Sequence, residues 1–562
     1  MEIQYQDANP DSGGQSIVLY FDDGMGMTQC VLVDSGPGVN VDELLDDDEY
    51  LAGILLTHAH TDHIRSLSAN IQPGIPVFAT PETASLLTEL FAPSNEPASQ
   101  QYTDKPGPYG WDHDRLTETI TPVSEWNQLI PHVDFRPLPV GHAPGAAGFE
   151  IRINDGNSKQ TMLITGDLST ESVAGNPGFC PTRIDADSVI TNLPQSAYTQ
   201  ESEYAESIEW IVEQISAGQS CLIGAGSLPA VHYASTLATL SHQNGLGLEI
   251  GLVGHAATAY ESLGFDWTDT ESITVRQFSA ADALKSALDT IDIVLCGPPE
   301  LDAGSGKSIF QAVRADSSVS IAQIRLGEFR STLDEDTIAG PLSQWQYYTH
   351  ATADEIAEIL QDICPKQLLL KHGGGSDFID KCDYSYVWAT DEREKFTLYT
   401  TQTGWRAPPW MTSDGRELIE RKRTEMPATP TIADDEYPYS VKDITLSGPS
   451  PLDLAAEGID SESLAPHFSP IREQNNQSDT VSPDEFSSSA ATGSRYSVTT
   501  SDGVASEEQS VESTQSTSEA ESITEATVID GGDGITLLRI DGHTPLTHGE
   551  TISVSLDTTR TS

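Results

Sequence analysis

The chain reads as an α/β protein built from more than one layered unit, and three patterns in the sequence carry that reading. Short apolar runs alternate with Gly and Asp over residues 15–35, as antiparallel strands joined by turns do. From 205 to 325 strand-like and helix-like segments alternate, which implies a parallel sheet with helices packed on it. From about 425 the composition shifts to Ser, Thr, Glu, Asp and Pro, too poor in apolar residues to order itself, so 425–524 is expected to be disordered.

In chain order, SIVLY and QCVLVD open the first sheet, and the apolar segment 53–56 is a short buried strand. A helix starts with Pro81 just inside its first turn, after Thr80, and carries Leu86, Leu87, Leu90 and Phe91 as its apolar stripe. Residues 94–118, rich in Pro, Gly and Asp, read as a loop. Strands at 137–140 and 162–165 follow. The alternating region then gives helix 205–216, strand 219–223, helix 229–241, strand 248–253, and two strands near 272 and 292 with a helix between. GSGKS at 304–308 invites a phosphate-loop reading, but Leu301 stands where that motif needs Gly and no helix-opening context is evident. Thr352 and Glu355 form a capping box for a helix whose apolar face is Ile356, Ile359, Leu360 and Ile363. A strand at 368–370 comes next, and 525–558 regains alternation as a small β unit.

The run HAHTDH places His58, His60, Asp62 and His63 within six residues, directly after the strand at 53–56. Neutral imidazole suits zinc and similar metals, and a carboxylate adds charge and can take a second ion. His58 and His60 point one way while Asp62 and His63 begin the next turn, so two metals fit better than one. Other ligand-type residues also follow strand ends: His142 in GHAPGAAGFEI, Asp167 in TGD and His372 in KHGGG. Loops on a rigid sheet edge are where functional residues collect, and four of them meeting there would make a dinuclear pocket.

HAHTDH with a downstream Gly-His, a TGD, a late His and a DSG at 34–36 resembles the metallo-β-lactamase superfamily. The long separation of Asp167 from His372 leaves room for an inserted domain. GQSCLIGAGSLPAVHYASTLATL, CGPPELDAGSG and THATAD around His350 resemble segments of the β-CASP nucleases, the group that contains RNase J and the nuclease subunit of the mRNA 3′-end cleavage factor. The resemblance covers roughly residues 15–405. It implies an αββα sandwich over 1–195 and 341–405 and an inserted β-CASP α/β domain over 196–340; composition and alternation add a linker and disordered acidic tail over 406–524 and a small β unit over 525–562.

The resemblance also implies the site. His58, His60 and His142 would hold one divalent ion and Asp62, His63 and His372 a second, with Asp167 bridging; zinc is the first expectation and manganese the second. Such ions activate water and neutralise a phosphodiester oxygen. His350 would be the acid for the leaving oxygen, with Asp62 also in the catalytic set. Where the family usually has a carboxylate orienting that His, this chain places Asn192, with Glu201 or Glu203 as substitutes. The implied activity is RNA phosphodiester hydrolysis. The alternatives are an inactive RNA-binding paralogue, a DNA-directed enzyme, which would lack the last His ligand, and a small-molecule hydrolase, which would lack the insertion.

Charge is the main counterweight. Over 562 residues, Lys and Arg number 28 against 86 Asp and Glu, a formal net charge of -58. Acidity runs through the ordered part too, as in DELLDDDEY at 42–50, and resembles the solvated surface of halophile proteins of haloarchaeal type. Phosphate binding normally relies on a basic footprint. At 1 M salt, however, the Debye length falls to about 3 Å, so repulsion of a polyanion is screened. The 6 cysteines form no CxxC pair, which fits a reducing compartment rather than a disulfide framework. The N-terminus has neither a basic start nor an apolar core for export, and no run approaches membrane-spanning length. The expectation is a cytoplasmic protein with an RNA partner, no membrane partner, and a homodimer as the admitted oligomer.

Overall fold

A computed structural model describes residues 1–22, 24, 26–90, 113–154, 159–181, 184–194, 203–264, 274–278, 290–326, 333, 335–371, 378, 381–389, 393–425, 452–478, 525–530 and 536–541. The architecture is mixed α/β with several sheets. The first sheet has eight strands in the order Gly404–Trp405, Phe396–Thr400, Glu2–Asp7, Ile17–Asp22, Thr28–Val33, Glu49–Leu55, Val77–Ala79, Ile120–Pro122. Ile17–Asp22 pairs antiparallel with Thr28–Val33, as the turn pattern implied, and the next three strands continue parallel.

The second sheet has seven strands in the order Tyr386–Ala389, Gln367–Lys371, Ser188–Asn192, Lys159–Ile164, Ala147–Asn154, Val133–Pro139, Asn127–Ile130. The period-2 geometry of a strand explains why the two sheets pack together. Ile17, Leu19 and Phe21 join one buried cluster with Phe135, Phe149, Ile151 and Met162 of the second sheet. The intervening Val18 and Tyr20 join a different cluster with helix residues such as Leu67 and Leu87. Strands covered on both faces in this way are the sandwich layers.

Ser188–Asn192 pairs directly with Gln367–Lys371, although a third sheet lies between them in sequence. That sheet has six parallel strands in the order Thr274–Phe278, Glu249–Val253, Ile293–Cys296, Ser220–Gly224, Val319–Arg325, Leu342–Gln346. It runs past residue 340, because Leu342–Gln346 pairs with Val319–Arg325 before the chain returns to the second sheet. The helix expected between the strands near 272 and 292 lies outside the described residues.

Several expectations are corrected. Residues 113–118 belong to helix His113–Thr119 rather than to a loop, while 94–112 lie outside the described residues. GSGKS does open a helix, Gly304–Val313, after strand Ile293–Cys296. It still does not form a phosphate cradle of free amides, since the Gly306 N–H donates to Gly297 O at 3.0 Å. The 227–244 helix starts two residues before Pro229, where a first-turn N–H has no helical partner and Pro costs little.

The largest correction concerns the tail. Within 425–524, residues 452–478 are ordered, with helix Ser461–Ser478 packed on helix Tyr204–Ser216. Leu464, Phe468 and Ile471, spaced i, i+4, i+7, are buried. Averaged composition concealed this stripe, and the helix also accommodates Pro466 and Pro470. A second unit, Asp484–Ser562, contains the antiparallel pair Glu525–Asp530 and Thr536–Asp541. The tail is therefore not dispensable as a whole. Phe468→Ala is expected to destabilise the protein by about 3 kcal/mol through lost burial and a residual cavity, read as a lowered denaturation midpoint.

Candidate metal centre

Strand Glu49–Leu55 delivers Thr57 and His58 to the sheet edge, and His60 immediately precedes the short helix Thr61–Ile64 that carries Asp62 and His63. The parallel neighbour ends beside it, Val33 opposite Leu55, which places Asp34 under the same loop. Asp34 Oδ1 accepts the Thr57 N–H at 2.8 Å, and Oδ2 accepts the Thr57 hydroxyl at 2.8 Å and faces His63 Nδ1 at 2.7 Å. Thr57 Oγ1 in turn lies 3.0 Å from His58 Nδ1. One buried carboxylate thus sets the orientation of both rings.

His142 comes from the turn after Val133–Pro139 and has φ 60, a left-handed conformation that its surroundings must hold. Asn176 does this by donating its amide to Gly141 O, Ala143 O and Ala146 O at 2.7–3.0 Å. Gly141 has φ +62 and a Cβ there would meet Glu171 O at 2.4 Å, so the position requires glycine. The hydroxyls of Thr80 and Thr83 both donate to Gly145 O, tying the loop to helix Pro81–Leu90. His142 Nδ1 faces Thr349 O at 3.1 Å, which directs Nε2 inward with its lone pair free.

The inward nitrogens converge. His58 Nε2, His60 Nδ1 and His142 Nε2 lie 3.0–3.2 Å from one another. A tetrahedral ion with metal–nitrogen bonds of about 2.0–2.1 Å separates its ligand nitrogens by roughly 3.3 Å, so the trio fits one ion. Asp167 follows Lys159–Ile164 and is buried, its Oδ2 3.9 Å from His58 Nε2, 3.7 Å from His142 Nε2 and 3.3 Å from His63 Nε2. His63 Nε2 is buried without a well-aligned hydrogen-bond partner, and Asp62 Oδ2 lies 3.8 Å from it on the half-exposed side. An orphaned nitrogen between two carboxylates fits a second cation.

Electrostatics support metal binding at His58 and His142. Burial pushes His58 and His142 well below the usual histidine range, with neighbouring imidazoles adding to it, so both present neutral lone pairs. Burial also opposes charge on His63, but Asp167, Asp34 and Asp62 outweigh it and raise its pKa well above the ordinary value. Burial likewise opposes ionisation of Asp167, yet His63 and His350 hold it well below the ordinary carboxylate range.

His350 lies just before helix Ala353–Ile363, whose capping box of Thr352 and Glu355 forms as the sequence implied. Its Nε2 is 3.9 Å from Asp167 Oδ2, its ring centroid is 4.5 Å from that of His142, and its side chain is 22% exposed. The Asn192 amide donates to Asp167 Oδ1 at 2.8 Å, so it orients the carboxylate. The Glu203 carboxylate accepts the Gln346 N–H on Oε2 at 2.7 Å. Glu201 and His372 lie outside the described residues; the strand before His372 ends at Lys371, opposite Asn192. Sequence reading gave no role to Thr57, Asn176 or Thr349, and for Asp34 the only signal was the DSG run.

Residues 11–202 match the family model described as Metallo-beta-lactamase superfamily. The match covers about a third of the chain and includes His58, His60, His63, His142 and Asp167, a cluster that could hold a metal ion. Among solved structures, a protein of unknown function from Enterococcus faecalis V583 is similar at 14% identity, over 70% of this chain and 99% of that one, with a TM-score of 0.49. No curated protein matches the chain. Among the described residues, no helix is long and apolar enough to cross a membrane.

Because Asp34 orients His63 and Thr57, Asp34→Asn is expected to weaken metal affinity about 10- to 100-fold while the fold persists, measured by competition with a chromogenic chelator.

Proposed function

We propose that the protein is a metal-dependent ribonuclease using two divalent ions, zinc in the first place. The supporting observation is His350. A chain segment that follows the third sheet returns a partly exposed imidazole to within 3.9 Å of the carboxylate at the centre of the ligand cluster. That imidazole stands on the open side of the cluster, within reach of a leaving oxygen that needs a proton.

In this reading the third sheet with its helices is the inserted domain between the two parts of the metallo-domain, and RNA is the partner. Ions bound at the cluster would supply an activated water and neutralise charge on a phosphodiester oxygen. The protein residues do the rest. Asp167 and the imidazoles fix the geometry, Asp34 and Thr349 O set the tautomers, and His350 donates the proton to the leaving oxygen. His372, read from the sequence as a ligand, supports RNA over DNA because the resemblance pairs its loss with DNA-directed enzymes. The acidic surface is compatible with a polyanion where salt screens it, at a Debye length of about 3 Å in 1 M salt.

The test is single-turnover cleavage of single-stranded RNA and of matching DNA in molar salt, before and after chelation. RNA cleavage that is lost on chelation and restored by zinc or manganese is expected. Cleavage of DNA alone, or of neither polymer, would overturn the reading. His350→Ala is expected to keep its metal and slow cleavage about 10²- to 10⁴-fold. His372→Ala is expected to lower metal content and cleavage together.

A further inference from the structure

A buried polar chain connects the C-terminal segment to the loop that carries His350. Glu457, buried on the segment before helix Ser461–Ser478, accepts the backbone N–H of Ala174 on Oε2 at 2.9 Å and that of Gly175 on Oε1 at 2.8 Å. Ala174 has φ 51, a conformation L-residues rarely adopt, and Gly175 has φ 82. These two successive amides form a concave receptor for a carboxylate, and the carboxylate holds the strained turn in place.

The same carboxylate faces His232 Nε2 at 2.7 Å, on a helix of the third-sheet region. His232 Nδ1 faces the Tyr347 hydroxyl at 2.8 Å, and Tyr204 stacks on the imidazole with centroids 4.2 Å apart. The tautomer with its proton on Nε2 satisfies both neighbours: it donates to Glu457 and accepts from the Tyr347 hydroxyl. Burial keeps the Tyr347 phenol protonated and able to donate, with Tyr233 and Glu457 adding to the effect.

Tyr347 begins the segment that ends in the site. Thr349 O faces His142 Nδ1 at 3.1 Å, His350 approaches Asp167, and the Ala351 N–H donates to Leu168 O at 2.7 Å. The C-terminal segment is itself tied to both sides: Ser172 N–H donates to Ala456 O at 2.9 Å, and Leu452 N–H to Thr239 Oγ1 at 3.1 Å.

We infer that Glu457 is a positioning residue for the metal centre: through His232 and Tyr347 it fixes the 347–351 segment, so that the C-terminal segment sets the placement of His350 and of the His142 tautomer. A purely packing role for 452–471 would need only its apolar side chains. It would not need an acid buried against two backbone amides and an imidazole, where an unmatched charge is costly.

The experiment is hydrogen exchange on the full chain as wild type, Glu457→Gln and Tyr347→Phe, with metal content measured in each. A Gln has one carbonyl oxygen for three N–H donors, so it must break at least one of those bonds. Exchange in E457Q is expected to rise about tenfold at 172–176 and at 345–351, and in Y347F at 345–351 alone, with 188–192 unchanged in both. Unchanged protection at 345–351 in both variants would overturn the inference. So would a uniform rise across all segments in Y347F, the mild variant. The role in turnover rests on the ribonuclease reading, and there both variants are expected to lower kcat about tenfold at unchanged KM and metal content. Wild-type turnover in both variants would overturn the positioning role. If exchange behaves as expected and the wild type cleaves no RNA, the substrate reading is what has failed.

Discussion

One carboxylate oxygen organises the centre of this protein. Asp167 Oδ2 lies 3.3–3.9 Å from the Nε2 atoms of His58, His63, His142 and His350. His58 Nε2 and His142 Nε2 also lie 3.2 Å apart, and with their Nδ1 atoms directed at Thr57 Oγ1 and Thr349 O these inner nitrogens present lone pair to lone pair. Burial keeps His58 and His142 neutral, and the surrounding histidines keep Asp167 ionised. Neutral donors around a fixed negative charge are the environment a divalent cation satisfies.

The rest of the sandwich makes that crowding affordable. Each ligand leaves the end of a strand, and each strand end is locked by its neighbours, as Val33 opposite Leu55 brings Asp34 beneath Thr57. Supporting groups then fix what the strands leave free. Asn176 holds the left-handed turn at His142, Asn192 takes the second oxygen of Asp167, and Thr349 O takes the outer nitrogen of His142. Gly166, at φ +59 with Thr57 Cβ 2.8 Å from where its own Cβ would stand, lets the TGD turn pass close under the first metal loop.

The sequence made the cluster legible because its ligands are concentrated: HAHTDH is contiguous, and His142 and Asp167 each follow an apolar run. The capping box before Ala353–Ile363 was legible for the same reason, being a local hydrogen-bond exchange written in four residues. Asp34, Asn176 and Thr349 act across 29, 35 and 207 residues of sequence and carry no local signature. The ordered segment 452–478 was hidden by averaging over a long acidic stretch, although Leu464, Phe468 and Ile471 keep helical spacing. The contact of Asn192 with Asp167 depends on the register of two neighbouring strands, Lys159–Ile164 and Ser188–Asn192, which no local motif writes.

In the proposed function two separate cation positions share Asp167. Anomalous diffraction at the zinc edge from crystals of the full chain measures this directly, because it locates each ion independently of activity. Two peaks are expected, one among His58, His60 and His142 and the other between His63, Asp62 and Asp167, about 3.5–4 Å apart. A single peak on the histidine trio, or none in zinc-replete protein, would contradict it.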